Sequence, residues 1–346
     1  MVKVSSMKFV YGPVPSRRLG QSLGIDPIPL KTCNWNCVYC QLGRTVPLTN
    51  KRREYFPHKE ILAEVEDSLT AHQDGEIDWI TFVGSGEPTL HTSIDWLIRE
   101  AKNLSELPVA IITNGALLYL PEVRQALLAA DAVLPSLDAG KTWLYQKINR
   151  PHPDFTFEHL LNGLVAFRNE YSGKLWVETM LVHGLNDTEI ALNDMAAALQ
   201  MIHPDEVHIN LPTRPPVETW VQPPNEGSLL RAVAILGEIA HVVHPINGAF
   251  DLSGGDSLVD AVIGIITRHP MREDELMNTL AYWSPDQVKS TLAELEESGQ
   301  AQVVERYNVR FWGAALSHFP NQSKSQRLAP NSSRTRKSES IENKGY

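Results

Sequence analysis

The sequence predicts an α/β fold in two parts: a βα barrel of the TIM-like kind, partial or full, or else a doubly wound sheet, and after it a small helical domain ending in a hairpin. Three observations predict this. Short apolar strands alternate with helical stretches from about Leu23 to Asn210, a pattern that builds a parallel sheet covered by helices. Polar and glycine residues fall just after those strands, where ligands bind in both architectures. Beyond Ser253-Gly254-Gly255-Asp256, which reads as a linker, the pattern changes to helices followed by alternating strands.

The elements follow in order. Strands are expected at Leu23-Gly24-Ile25, Trp79 to Val83, Val109 to Thr113, Ala132 to Ser136, Leu175 to Val182 and Val207 to Asn210. Helices are expected between them at Lys59–Ala71, Ser93–Asn103, Pro121–Ala130, Phe157–Asn169 and Glu189–Gln200. The second part opens with a helix at Leu258–Arg268 and a second at Met271–Leu280. A third begins at Ser284-Pro285, a capping residue followed by Pro at the first helical position. Val303-Val304 and Tyr307 to Trp312 read as a hairpin, so this part is expected to be a winged-helix domain. From Ser317 onward apolar residues are too few for a core, and disorder is expected.

Composition excludes several classes. With 42% apolar and 21% charged residues the chain is ordinary globular stock. It has no run of about 18 apolar residues, so no transmembrane helix is expected. Met1 to Ser6 lack the apolar stretch of an export signal. Three Cys are an odd number for a disulfide framework, and a cytoplasmic location is expected. The net charge of −10 is uneven: +7 over residues 1–60, −17 over 61–256 and +4 over 316–346. A basic front end suits phosphate-rich substrates or an acidic redox partner, but from charge alone a plain solvated face is the preferred reading.

All three Cys fall in one loop, Cys33-Asn34-Trp35-Asn36-Cys37-Val38-Tyr39-Cys40, spaced C-x3-C-x2-C. So short a loop can aim three thiolates at one soft centre. A structural zinc site would want a fourth ligand at close spacing. A redox pair of Cys37 and Cys40 would leave Cys33 unexplained. An iron–sulfur cluster fits better; three thiolates on a four-iron cluster leave one iron open.

This loop, with Tyr39 directly before the third Cys, resembles that of the radical S-adenosylmethionine (SAM) superfamily. The resemblance implies a partial barrel and a 4Fe–4S cluster held by Cys33, Cys37 and Cys40. The open iron would bind the amino and carboxylate groups of S-adenosyl-L-methionine. Reductive cleavage would then give a 5′-deoxyadenosyl radical that abstracts hydrogen from substrate. Gly84-Ser85-Gly86-Glu87-Pro88 resembles the family's Gly-Gly-Glu-Pro turn, with Ser85 at a usual Gly position. The resemblance therefore implies cofactor contacts at Tyr39, Ser85, Gly86, Glu87, Thr113, Asn114, Ser136, Asp138 and Asn210, all in or after the cluster loop and the strand ends. It also implies a reductant such as flavodoxin or ferredoxin.

The block Tyr11 to Gly20, with Ser22 to Asp26 and Gln41-Leu42-Gly43, is similar to a narrower branch of bacterial radical enzymes near the wyosine synthases, which remodel a guanosine in tRNA. Archaeal-type members of that group use further Cys for a second cluster, and this chain has none to spare.

Duller readings stand beside these. Gly and Pro punctuate ordinary turns. Ser136 or Asp138 can simply cap a helix. Arg17, Arg18 and Lys31 belong on a solvated face unless they receive a substrate phosphate or carboxylate; Lys31 is the best placed. His183, His208 and His244 receive no role. The third helix of the small domain carries Lys289 against Asp286, Glu294, Glu296 and Glu297, which disfavours duplex DNA. Arg306 and Arg310 keep a phosphate contact in view, and RNA stays open. A packing module or a peptide-docking face is the preferred role.

The expected organisation is an arm at 1–15, a barrel domain at 16–253, a winged-helix domain at 254–316 and a tail at 317–346. The expected function is a radical SAM enzyme acting on an RNA base, small molecule or peptide, with no membrane partner. The alternatives are a redox-sensing iron–sulfur regulator that binds nucleic acid, and an activase that installs a glycyl radical on another protein.

Overall fold

The structure, a computed structural model, describes residues 9–243, 257–317 and 319. The expected linker Ser253–Asp256, His244 and nearly all of the expected tail lie outside the described residues.

Eight strands form one sheet in chain order: β1 (Val10–Ser16), β2 (Gly20–Ile25), β3 (Trp79–Phe82), β4 (Val109–Thr113), β5 (Ala132–Pro135), β6 (Lys174–Met180), β7 (Glu206–Asn210) and β8 (Ala240–Val242). β1 and β2 are an antiparallel hairpin; every later pairing is parallel. The crossovers carry α1 (His58–Ala71), α2 (Ile94–Leu104), α3 (Pro121–Leu127), α4 (Thr142–Ile148), α5 (Phe157–Glu170), α6 (Glu189–Ile202) and α7 (Glu226–Leu236). Helix starts follow local chemistry. Thr156, Thr188 and Asn225 each accept a backbone N–H of the first turn, and α3 begins on Pro121.

Alternate strand residues face opposite sides. Val109, Ile111, Val133, Leu175 and Val177 pack with the helices in the main core. Ala110, Ala132, Leu134 and Trp176 face the other way and pack around Leu19, from the β1–β2 turn. Trp79 on β3 and Trp176 on β6 bring their rings to 6.0 Å, although two strands lie between them. Neighbouring strands stand about 4.8 Å apart, so a flat sheet would hold these strands about 14 Å apart. The sheet therefore curls, and the hairpin tip fills its inner face. The sheet order ends at β1 and β8, with no pairing between them among the described residues, so the curl is a partial barrel.

Several elements differ from expectation. β1 crosses the expected boundary at 15/16, so the described part of the arm is a strand of the sheet. β6 stops at Met180, because the Asn186 side chain accepts the Val182 N–H at 2.7 Å and turns the chain. β1, β8, α4 and α7 escaped the sequence reading; β8 is only three residues long.

The remaining elements are α8 (Leu258–Arg268), β9 (Met271–Arg272), α9 (Glu273–Thr279), α10 (Pro285–Glu297), β10 (Ala301–Arg306) and β11 (Val309–Ala314). The sheet here is antiparallel, ordered β10-β11-β9. Met271 and Arg272 pair with Trp312 and Phe311, which delays the second helix to Glu273. Ser284 and Gln287 close a capping box at the start of α10. Val262, Ile266, Leu276, Leu292 and Trp312 form a core of their own.

This second core is docked on the barrel by specific contacts. Arg306 is only 4% exposed and donates from Nε to Pro216 O at 3.1 Å. Tyr307, at the hairpin turn, donates its hydroxyl to Pro212 O at 3.0 Å. Arg214 donates to Pro270 O, and Gln41, just after the Cys loop, donates to Arg268 O. Arg306, expected as a candidate phosphate contact, is thus spent on the barrel.

Candidate active site

The Cys loop follows β2, Gly84–Pro88 follows β3, Thr113-Asn114 close β4, Ser136 to Asp138 follow β5, and Asn210 ends β7. The parallel sheet brings these segments to one end, the carboxyl end of the strands. Hydrogen bonds then knit them together. Ser85 O accepts from Lys31 N at 2.7 Å, and Thr32 O accepts from Glu87 N at 2.9 Å. A Cβ at Gly86 would lie 1.9 Å from Thr32 O, so only glycine permits this approach.

Each thiol is free, and each is met by an N–H donor. Lys31 Nζ lies 3.0 Å from Cys40 Sγ. Trp35 N and Asn114 Nδ2 approach Cys33 Sγ at 3.4 and 3.7 Å. Asn149 Nδ2 approaches Cys37 Sγ at 3.6 Å. Burial pushes the Cys33 thiol up to about 12 and the Cys37 thiol well above its usual range; the neighbouring acidic groups and sulfurs add to this, and Lys31 opposes it at Cys33. Burial pulls the Lys31 ammonium down, but the three sulfurs outweigh that and raise it. Three half-buried cysteines met by N–H donors suit a cationic iron–sulfur group, which supplies the positive charge that deprotonated thiols need.

The residues expected to touch a cofactor divide into two groups. Glu87 is 1% exposed, and its carboxylate accepts from Thr89 N, Thr89 Oγ1, Thr113 Oγ1 and Asn114 N. Asp138 accepts from Tyr39 Oη at 2.5 Å, Asn149 Nδ2 at 2.6 Å and Met180 N at 2.8 Å. Ser85 gives its N–H and hydroxyl to Asp26. Asn210 Oδ1 accepts from Arg18. These side chains hold the frame together. Ser136 is different: it is half-buried, and its hydroxyl has no hydrogen-bond partner among the described residues. Asn114 sits between Cys33 and Asn34, whose Oδ1 it meets at 2.6 Å.

Sequence reasoning missed Asp26 and Asn149. Asp26 is 4% exposed, anchors Ser85 and faces Arg268. Asn149 links Cys37 to Asp138 from 112 residues downstream of that Cys. Asp26 closes the Ser22–Asp26 block, but no local pattern shows that it meets Ser85, and none marks Asn149; the pairing of β2 with β3 and the fold of the α4 segment bring them in.

The sequence pattern of the radical SAM superfamily matches residues 28–195. A UPF0026 protein of Methanocaldococcus jannaschii is 36% identical over 279 residues, covering 79% of this chain and 87% of that protein. The chain belongs to the UPF0026 family and carries a radical SAM domain. Another UPF0026 protein, from Synechocystis sp., is 40% identical over 207 residues, covering 60% of this chain and 76% of its own length. Among solved structures, TYW1 with a lysine–pyruvate adduct bound superposes with a TM-score of 0.44 at 14% identity, over 85% of this chain and 80% of that one. As a radical SAM protein it is an enzyme, and its matched segment spans the Cys loop, the Gly84–Pro88 turn and the ends of β4 to β6. No helix among the described residues is long and apolar enough to cross a membrane.

Proposed function

We propose that Cys33, Cys37 and Cys40 hold one 4Fe–4S cluster, and that the carboxyl end of the sheet binds S-adenosyl-L-methionine beside it. The observation that carries this reading is the set of N–H donors on the three thiols, contributed by four residues of three different loops. When bound, the cluster supplies the electron that splits the sulfonium and generates a hydrogen-abstracting radical. The chain's own residues do the rest. Glu87 is consumed by four donors, so the methionine ammonium falls to backbone carbonyls of the Gly84–Gly86 turn. The Ser136 hydroxyl is offered to the ribose or the methionine carboxylate. Asp138 fixes Tyr39, and thereby the loop between Cys37 and Cys40.

The arrangement α8, β9, α9, α10, β10, β11 supports a winged-helix domain over about 254–316, following a barrel domain. Its hairpin rests on Pro212 and Pro216. Its Arg268 reaches Asp26, behind Ser85 of the cofactor turn. This supports a packing module that closes one side of the site against water, which a reactive radical requires. The reductant is of the flavodoxin or ferredoxin class, and the substrate is an RNA base, a small molecule or a peptide.

The test is anaerobic reconstitution with iron and sulfide. About four irons per chain are expected, with 5′-deoxyadenosine formed from S-adenosyl-L-methionine under dithionite. Cys37→Ala should lose both. Full iron content and undiminished 5′-deoxyadenosine in that variant would overturn the assignment.

A further inference from the structure

Away from the thiols, three potential ligands meet on β7 and β8. Glu206 and His208 are two residues apart on β7, so they share a face of the sheet. His241 is the register partner of His208 on β8, which puts it on the same face. The three ligand atoms lie within 4.8 Å of one another. Glu206 Oε2 is 2.9 Å from His208 Nε2 and 3.6 Å from His241 Nε2, and the imidazole centroids stand 4.7 Å apart.

We propose that Glu206, His208 and His241 form a second metal site, for a divalent transition ion of the zinc class. Metal–nitrogen and metal–oxygen bonds to such ions are about 2.0–2.2 Å, so ligands on one ion stand about 3–3.5 Å apart. The two separations from Glu206 Oε2, 2.9 and 3.6 Å, bracket that value. Two imidazoles and one carboxylate suit zinc and its neighbours, whereas magnesium and calcium want oxygen throughout.

The surroundings agree. His208 is 2% exposed, and its ring faces Glu206 on its own strand and His241 on the next. The nearest acid on the flanking strand, Glu178, is already paired with Arg18 at 2.6 Å, so neither competes for the ion. His241 and Glu206 are about half exposed, which leaves a side open for entry and for water ligands. Structurally, the ion ties β8, a three-residue strand at the end of the sheet, to its one neighbour. The sequence gives His208 no role because Glu206 is near it in the chain but His241 arrives from the next strand, beyond α7.

The test uses cluster-loaded protein, stripped with a chelator, dialysed against zinc and passed through gel filtration. The expected result is one zinc per chain in addition to the cluster iron, with iron and sulfide unchanged. His241→Ala and Glu206→Gln should each weaken retention on the order of tenfold or more. Both are partly exposed positions, and a thermal melt checks that each variant folds. A variant with all three Cys replaced by Ala should still bind its zinc. No retained zinc, retention in both ligand variants equal to the parent's, or loss of zinc only when the thiols are removed would each overturn the site.

Discussion

Arg268, the last residue of α8, places its Nε 3.4 Å from Oδ2 of Asp26, the residue that follows β2. Its guanidinium also lies over the Tyr11 ring, 4.6 Å from the centroid. Asp26 in turn receives both the N–H and the hydroxyl of Ser85. One cation from the small domain thus compensates the buried carboxylate that anchors the cofactor turn.

Burial raises the Asp26 pKa, and Arg268 works against that rise. Arg268→Met leaves a buried charge without its partner, which costs about 3–5 kcal/mol. The acid is then pushed further up. Its proton is held more tightly in the folded state, so stability falls as pH rises through the folded-state value. Urea unfolding should therefore show a larger loss at pH 8 than at pH 5. Equal losses at both would show that the charge pair is not the cause.

Gly86→Ala and Gly84→Ala should differ. The Cβ at Gly86 meets backbone oxygen at 1.9 Å, whereas at Gly84 the nearest atom is Asp26 Oδ1 at 3.2 Å. Overpacking against a rigid neighbour costs about 1–3 kcal/mol or more. The Gly86 variant should lose stability and iron content after reconstitution, with the Gly84 variant close to the parent. Iron analysis and a thermal melt read both, and indistinguishable variants would refute the close approach.

Lys31 adopts φ +60°, a region side chains seldom occupy, and so brings its ammonium to Cys40 Sγ at 3.0 Å. A positive charge beside a cluster ligand favours the reduced form. Lys31→Met should move the cluster's reduction potential to a more negative value, with iron and sulfide content retained. Spectroelectrochemical titration checks this, and an unmoved potential would exclude the contact.

Asp138 is held at about 6 by burial, against the hydrogen bond from Tyr39, which lowers it. The unfolded value is about 3.9. Between these the folded state keeps a proton that the unfolded state has lost. The group's contribution is complete below about pH 4 and disappears as pH rises through about 6, a change of up to about 3 kcal/mol. In metal-free chain, Asp138→Asn should flatten the urea midpoint across that window relative to the parent. Parallel curves for the two would contradict the shift.

The periodicity of apolar residues was enough to locate β3, β4, β5 and most of the helices, because a strand buried on both faces must be apolar throughout. It missed β1, interrupted by Gly12, Pro13 and Pro15, and β8, too short to show a period. Cys spacing is likewise local and needs only a short loop to have meaning. What chain order alone determined about this protein, then, is the thiol loop, the glycine turn and the alternation that lines up strand ends. Tertiary structure decided the rest: that Glu87 and Asp138 are spent on the frame, that Asn149 reaches Cys37, that Arg306 is buried on the barrel and Arg268 meets Asp26, and that Glu206, His208 and His241 converge. Each of these depends on which strands become neighbours and which groups lose water, and those are properties of the closed chain rather than of any short stretch of it.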